Sequence, residues 1–218
     1  MNIVFDFGAV LFNWQPGALL QQFFPERVTS APAAQAMAKV LFGHADWHDF
    51  DRGVLDMETV IERTATRMAL PRQATQRMVQ GIGEHLQPMA ETVALLRQLQ
   101  DWRDTGGGDC RLYYLSNMPV PYARFLQAQH AFLRCFDGGL FSGDVQLAKP
   151  DPAIYLALQQ RYALQPQDTL FIDDVLANVQ AAQALGWQGL HFESPQRLSA
   201  QLGKDSRCTA ARLDAVGG

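Results

Sequence analysis

A strand-like run, Ile3-Val4-Phe5, opens the chain and stops at a carboxylate, Asp6; no comparable run follows until residues 111–115. That separation constrains the fold more than any other feature. From residue 16 to residue 87 the apolar residues recur at helical spacing, as in 18–24 and 57–61, which predicts helices. Asp56 stands where it would cap the second of these runs, and Pro71 where it would open a further helix in its first turn. No strand pattern occurs between Asn13 and Pro88. Beyond Pro88, strand-like runs at 111–115, 140–141, 169–172 and 189–192 alternate with helical patterns at 90–100, 121–129, 152–162 and 176–185. Strands alternating with helices imply right-handed βαβ units and a parallel sheet. The expected fold class is therefore α/β. Its core is 1–14 plus 88–200, an all-helical insert of 15–87 follows the first strand, and 201–218 form a C-terminal tail. The Gly106-Gly107-Gly108 run reads as a flexible turn before the second strand. No helix follows it directly, which argues against a phosphate loop.

Apolar residues make up 48% of the 218 and charged residues 18%, enough for one well-buried core with a smaller appended unit. The net charge is −4, from 18 Lys+Arg against 22 Asp+Glu, and no basic run occurs. The electrostatic footprint of a nucleic-acid partner is missing, although a local positive pocket can still hold a small phosphorylated molecule. Three widely spaced cysteines, Cys110, Cys135 and Cys208, form no CxxC pair, a usage that fits a reducing compartment. There is no basic leader and no apolar stretch long enough to span a bilayer. The expectation is a cytoplasmic protein that engages neither nucleic acid nor membrane.

The chemistry-bearing residues fall at the ends of the strand-like runs, where open α/β sheets bind ligands. Leaving Asp6 at such an end costs desolvation unless a metal, a cation or hydrogen bonds compensate. Gly8, two residues on, would let the backbone turn sharply beside a ligand. The second run ends in Ser116-Asn117, where a hydroxyl and a free N–H either hold an anionic oxygen or cap the next helix. Lys149 lies between Ala148 and Pro150-Asp151-Pro152. It is either a solvated loop lysine or, held near Asp6, a group that binds a transferring phosphoryl oxygen. The fourth run ends in Asp173-Asp174. Adjacent carboxylates repel and lose hydration, and a hard cation such as Mg²⁺ relieves both costs. Asn178, one helical turn on, is either placed to orient Asp174 or Lys149 or a plain surface asparagine.

Taken together these residues resemble the motifs of the haloacid dehalogenase (HAD) superfamily of hydrolases. Asp6 with Val10-Leu11 is similar to its first motif, Leu115-Ser116-Asn117 to its second, Lys149-Pro150 to its third, and Phe171-Ile172-Asp173-Asp174 with Asn178 to its fourth. Residues 5–10 and the segment Asp49-Phe50-Asp51-Arg52-Gly53 look most like the α-D-glucose-1-phosphate phosphatase branch. The resemblance implies a Rossmann-like core with a helical cap and Mg²⁺-dependent hydrolysis of a small phosphorylated metabolite, such as a sugar phosphate. In it Asp6 is the nucleophile. Asp6, the Gly8 carbonyl, Asp174 and Asp173 hold the metal, and Ser116, Asn117 and Lys149 hold phosphate oxygens. His48 would meet substrate from the insert, and Arg52 would either contact substrate or pair with Asp51 or Asp49. One departure stands out: most phosphatases of the superfamily carry a second Asp, the general acid, where this chain has Gly8. Its loss costs about 10²–10⁴ in rate unless the leaving group is good or another residue supplies the proton. His44, Asp46, His48 and Asp51, grouped around Trp47, are the candidates, although His44 and Trp47 also fit a packing role. The gap keeps open a metal-independent 2-haloacid dehalogenase using the same Asp6, since halide leaves without a proton. A non-catalytic phospho-ligand-binding protein is the remaining alternative.

Overall fold

The computed structural model describes residues 1–105 and 109–204; the expected Gly106–Gly108 turn, Cys208 and most of the expected tail lie outside them. Strands β1 (Asn2–Phe5), β2 (Arg111–Ser116), β3 (Gly138–Phe141), β4 (Thr169–Asp173) and β5 (Gln188–His191) form one parallel sheet in the order β3-β2-β1-β4-β5. β1 lies at the centre, so its side chains are covered on both faces. Ile3 and Phe5 point into one apolar cluster with Leu112, Leu170 and Ile172. Val4 points into the other with Tyr113, Leu115 and Phe171. This alternation, buried both ways, is what a parallel sheet sandwiched by helices requires.

The insert that follows β1 holds five helices: α1 (Pro16–Phe23), α2 (Ala31–Phe42), α3 (Ala45–Asp51), α4 (Met57–Met68) and α5 (Arg72–His85). Asp56 does cap α4, its Oδ1 accepting the Thr59 N–H at 2.7 Å. Pro71 stands just outside α5 rather than in its first turn. The chain leaves and re-enters side by side: Asn13 N–H donates to Gln87 O and Met89 N–H to Leu11 O, each at 2.8 Å. The insert is not a separate core. Leu20, Leu41, Phe50, Ile61 and Ile82 belong to the same apolar cluster as Phe5 and Phe7.

Helices α6 (Ala90–Asp104), α7 (Val120–Gln129) and α11 (Pro195–Leu202) cover that face of the sheet. Helices α9 (Pro152–Tyr162) and α10 (Leu176–Ala184) cover the other, with α8 (Ser142–Val145) a single turn after β3. Three details differ from the sequence expectation. β3 begins at Gly138, because two glycines there let Tyr162 and Tyr114 lie against the strand. β5 ends at His191 rather than at residue 192. The expected tail boundary at 201 falls inside α11, whose Leu202 is 1% exposed. The missed signal was Ser194-Pro195. The Ser194 hydroxyl accepts the Arg197 N–H at 3.2 Å and the proline occupies the first turn, a start pattern for a helix.

Candidate active site

The register fixes where the carboxylates meet. Phe5 of β1 pairs with Tyr114 of β2 and with Ile172 of β4, so Asp6, Leu115-Ser116 and Asp173 emerge level at one sheet edge. Strand order reverses at β1, which makes this edge the crevice where α/β sheets bind ligands. Asp6 extends the ladder by one bond, its N–H donating to Ile172 O at 2.9 Å. Its Oδ1 accepts the Phe7 N–H at 2.7 Å.

The turn after Asp6 is not made by Gly8. Ala9 takes the left-handed conformation instead, with φ 56. Gly8 has no positive φ, and a Cβ built there would meet nothing within 4 Å. Glycine at this position leaves room that a side chain could fill.

Lys149 is buried at the junction. Its Nζ lies 2.9 Å from Asp6 Oδ1 and 2.6 Å from Asp173 Oδ2, and donates to Leu115 O at 2.9 Å. The solvated-loop alternative for this lysine is thereby removed. Burial disfavours its ammonium, but the charges of Asp6 and Asp173 outweigh that and raise its pKa. Burial also pushes the Asp6 carboxyl up to about 7, with Lys149 pulling against it and Asp173 reinforcing it. Two buried carboxylates sharing one ammonium cannot both ionise freely.

Asp173 is wholly enclosed and its oxygens are taken. Besides Lys149, it accepts the Val175 N–H at 2.8 Å and both oxygens accept from Asn178 Nδ2 at 3.1 Å. Asn178 therefore orients Asp173, not Asp174 or Lys149. The Asp174 carboxylate makes no hydrogen bond or ion pair to another described residue, only to its own main-chain N–H, and lines the cavity over Asp6. Burial and then the Asp173 charge raise its pKa. Ligand atoms of Asp6, Asp173 and Asp174 all lie within 4.8 Å of one another. Ser116, 2% exposed, lines the same cavity with its hydroxyl unpartnered among the described residues. The Asn117 side chain is turned to the backbone of Lys149, which leaves its main chain beside the cavity.

The cavity measures about 280 Å³ and is roofed by the insert. Its roof and walls are largely apolar, among them Trp14, Phe42, Trp47, Ile82, Leu86 and Met118. Of the four insert candidates for a proton donor, His48 and Asp51 line it and the other two do not. His44 caps α3, its Nδ1 accepting the Asp46 N–H at 3.1 Å. Asp46 pairs with Arg63 at 3.0 Å and approaches Arg67. Trp47 packs edge-on against Phe42 and Phe50. Arg52 is not over Asp6: it pairs with Asp49 and lines an adjoining groove of about 580 Å³, which shares His48, Asp51 and Lys149 with the cavity.

The family model for haloacid dehalogenase-like hydrolases matches residues 3–186, from β1 through α10. The chain belongs to that family. It is 29% identical over 192 residues to the sesquiterpene phosphatase astK of Aspergillus oryzae, covering 87% of this chain and 88% of astK. A HAD family enzyme of Bacteroides thetaiotaomicron, solved with magnesium and inorganic phosphate, superposes with a TM-score of 0.67 at 18% identity, over 88% of this chain and 93% of that one. The L-2-haloacid dehalogenase of Xanthobacter autotrophicus, with chloropropionic acid covalently bound, gives 0.65 at 18% identity, over 99% and 87%. These likenesses do not single out the glucose-1-phosphate phosphatase branch of the HAD hydrolases. Among the described residues of this HAD hydrolase, no helix is long and apolar enough to cross a membrane.

Proposed function

We propose that this hydrolase is a Mg²⁺-dependent phosphatase of small phosphate monoesters, working through an aspartyl-phosphate on Asp6. The observation that carries the reading is the meeting of Asp6, Asp173 and Asp174, with the Asp174 carboxylate engaged by no other described residue's hydrogen bond or ion pair. A dehalogenase has no use for that carboxylate, whereas a hard cation bound by oxygen ligands does. The donor set fits Mg²⁺: Asp6, Asp174 and the Gly8 carbonyl would hold it through oxygen atoms, and all three residues line the cavity. Asp173, its oxygens occupied, serves instead to hold Lys149. When bound, the cation supplies charge neutralisation at the phosphate.

The residues of the chain then have separable tasks. An Asp6 oxygen attacks phosphorus and the alcohol leaves with its electron pair. Lys149 favours the ionised form of Asp6 and aims it. The Ser116 hydroxyl and the Asn117 N–H face oxygens on which negative charge develops. Water then attacks the phosphorus of the aspartyl-phosphate, releasing phosphate and restoring Asp6. The apolar roof favours an alkyl or aromatic alcohol over a sugar, since Trp14, Phe42, Ile82 and Leu86 offer a polyol few hydrogen bonds. The activity named for the Aspergillus relative, on a sesquiterpene, is of this chemical kind.

The dehalogenase reading rests on one observation, the absence of an acid at Gly8. Phosphate release from p-nitrophenyl phosphate, dependent on Mg²⁺ and abolished by EDTA and by Asp6→Asn, is the expected result. Halide release from 2-chloropropionate in the presence of EDTA would replace this reading with the dehalogenase. Activity that survives Asp6→Asn would overturn the nucleophile. Ligand binding without turnover of either substrate would point to a non-catalytic protein.

A further inference from the structure

The end of α3 is pinned to the sheet-bearing part of the chain by several contacts. The Ser142 hydroxyl donates to Asp51 O at 2.5 Å and accepts the Met118 N–H at 2.8 Å. Gly53 takes φ +70 and lies so close to Gly143 that a Cβ would come within 2.6 Å of its carbonyl. Phe50 stands edge-on to Tyr122 at 5.7 Å, and the Tyr122 hydroxyl donates to Val79 O at 2.6 Å. Asp51, held between these contacts, lines the cavity that also contains Asp6, Ser116 and Lys149. Its carboxyl has no hydrogen-bond or ion-pair partner among the described residues. The neighbouring acids differ, since Asp49 engages Arg52 and Asp46 engages Arg63. His48, the other insert candidate on the cavity, is exposed at its rim.

We propose that Asp51 is the general acid of this site and protonates the leaving alcohol, in place of the aspartate that Gly8 replaces. The assignment rests on the phosphatase reading. As the Asp6 oxygen bonds to phosphorus, the bond between phosphorus and the alcohol oxygen breaks, and its electron pair and the Asp51 proton both go to that oxygen. In the second half, the Asp51 carboxylate takes a proton from the water that attacks phosphorus, and Asp6 leaves with the electron pair of its own bond. Asp51 ends as it began. An unpaired carboxyl among aromatic rings favours the neutral form that an acid needs, and burial indeed holds its pKa well above the usual carboxylate range. Its rigid seat on α8 is the preorganisation that proton transfer to a bound substrate requires.

The test is a leaving-group comparison in kcat/KM, which reports the steps through departure of the alcohol. Wild type, Asp51→Asn and Asp51→Ala are assayed with Mg²⁺ on p-nitrophenyl phosphate, whose phenolate leaves without a proton, and on n-hexyl phosphate, whose alkoxide does not. Both variants are expected to lower the hexyl-to-nitrophenyl ratio by about 10²-fold or more, and Asp51→Glu to recover part of it. An equal loss on both esters, or no loss on either, overturns the assignment. So does a ratio that falls in His48→Gln and not in the Asp51 variants. If wild type hydrolyses neither ester, the phosphatase reading fails and the donor with it, which is a different result from an intact wild type with an unchanged ratio.

Discussion

The side chain of Asn117 closes on the backbone of Lys149 from both sides: Nδ2 donates to Lys149 O at 2.9 Å and Oδ1 accepts the Lys149 N–H at 2.8 Å. The second and third motifs are thus one unit, with the end of β2 holding the lysine's main chain while Leu115 O holds its Nζ. Asn117→Ala removes both amide contacts and leaves a partly buried N–H and C=O to find water. We expect a stability loss of about 1–3 kcal/mol in urea denaturation. The fall in kcat should exceed that of a surface variant, because Nζ loses its fixed height above Asp6.

Lys149→Met tests the charge arrangement more severely. It leaves the Asp6 and Asp173 carboxylates facing each other without a cation, and removing one partner of a buried pair costs about 3–5 kcal/mol. Protonation relieves the repulsion, so the deficit measured by chemical denaturation should be smaller at pH 5 than at pH 8. A deficit independent of pH would mean that the two carboxylates do not share the charge of Lys149.

The wild-type protein should show the same logic in its dependence on metal and pH. In the metal-free fold Asp6 binds its proton up to about pH 7, against an ordinary value of 3.8. The folded state therefore holds more protons than the unfolded one between these values. Stability falls as pH rises through that window and stays lower above it. Asp51 and Asp174 are shifted in the same direction. Metal-free protein should melt at a lower temperature at pH 8 than at pH 5, by about 2–4 °C for each kcal/mol. Mg²⁺, which binds the ionised carboxylates, should raise the melting temperature more at pH 8, and EDTA should reverse the gain. A Mg²⁺ shift that is larger at pH 5 would contradict the placement of the cation at these carboxylates.

Much of this site was legible in the sequence because parallel sheets present chemistry at strand ends. Asp6, Ser116 and Asp173 each fall at the end of a short, β-branched or aromatic apolar run of strand character, so their meeting follows from strand order. Spacing left Lys149 between a solvated loop lysine and a group held near Asp6; its burial depends on Asn117 and Leu115, which no local pattern encodes. The partner of Asn178 was misplaced because spacing along a helix does not tell which of two adjacent carboxylates faces inward. The insert was the hardest part. Among His44, Asp46, His48 and Asp51, spacing could not separate helix capping and ion pairing from the cavity wall. The seat of Asp51 on Ser142 spans 91 residues of chain. Gly8 misled in the other direction, since the left-handed turn is carried by Ala9.

Gly8 itself offers the sharpest engineering test. With open space around its Cβ position and no positive φ, Gly8→Asp should fold, its added carboxyl carrying a charge cost beside Asp6 that protonation or Mg²⁺ relieves. Its carboxyl would stand two residues from Asp6, on the cavity side, where the family's usual acid sits. In an Asp51→Asn background the new acid should restore turnover of n-hexyl phosphate by about 10-fold or more, with little gain on p-nitrophenyl phosphate. In the wild-type background the gain should be small, because Asp51 already supplies the proton. Equal gains in both backgrounds would show that Asp51 and the introduced aspartate do not perform the same step.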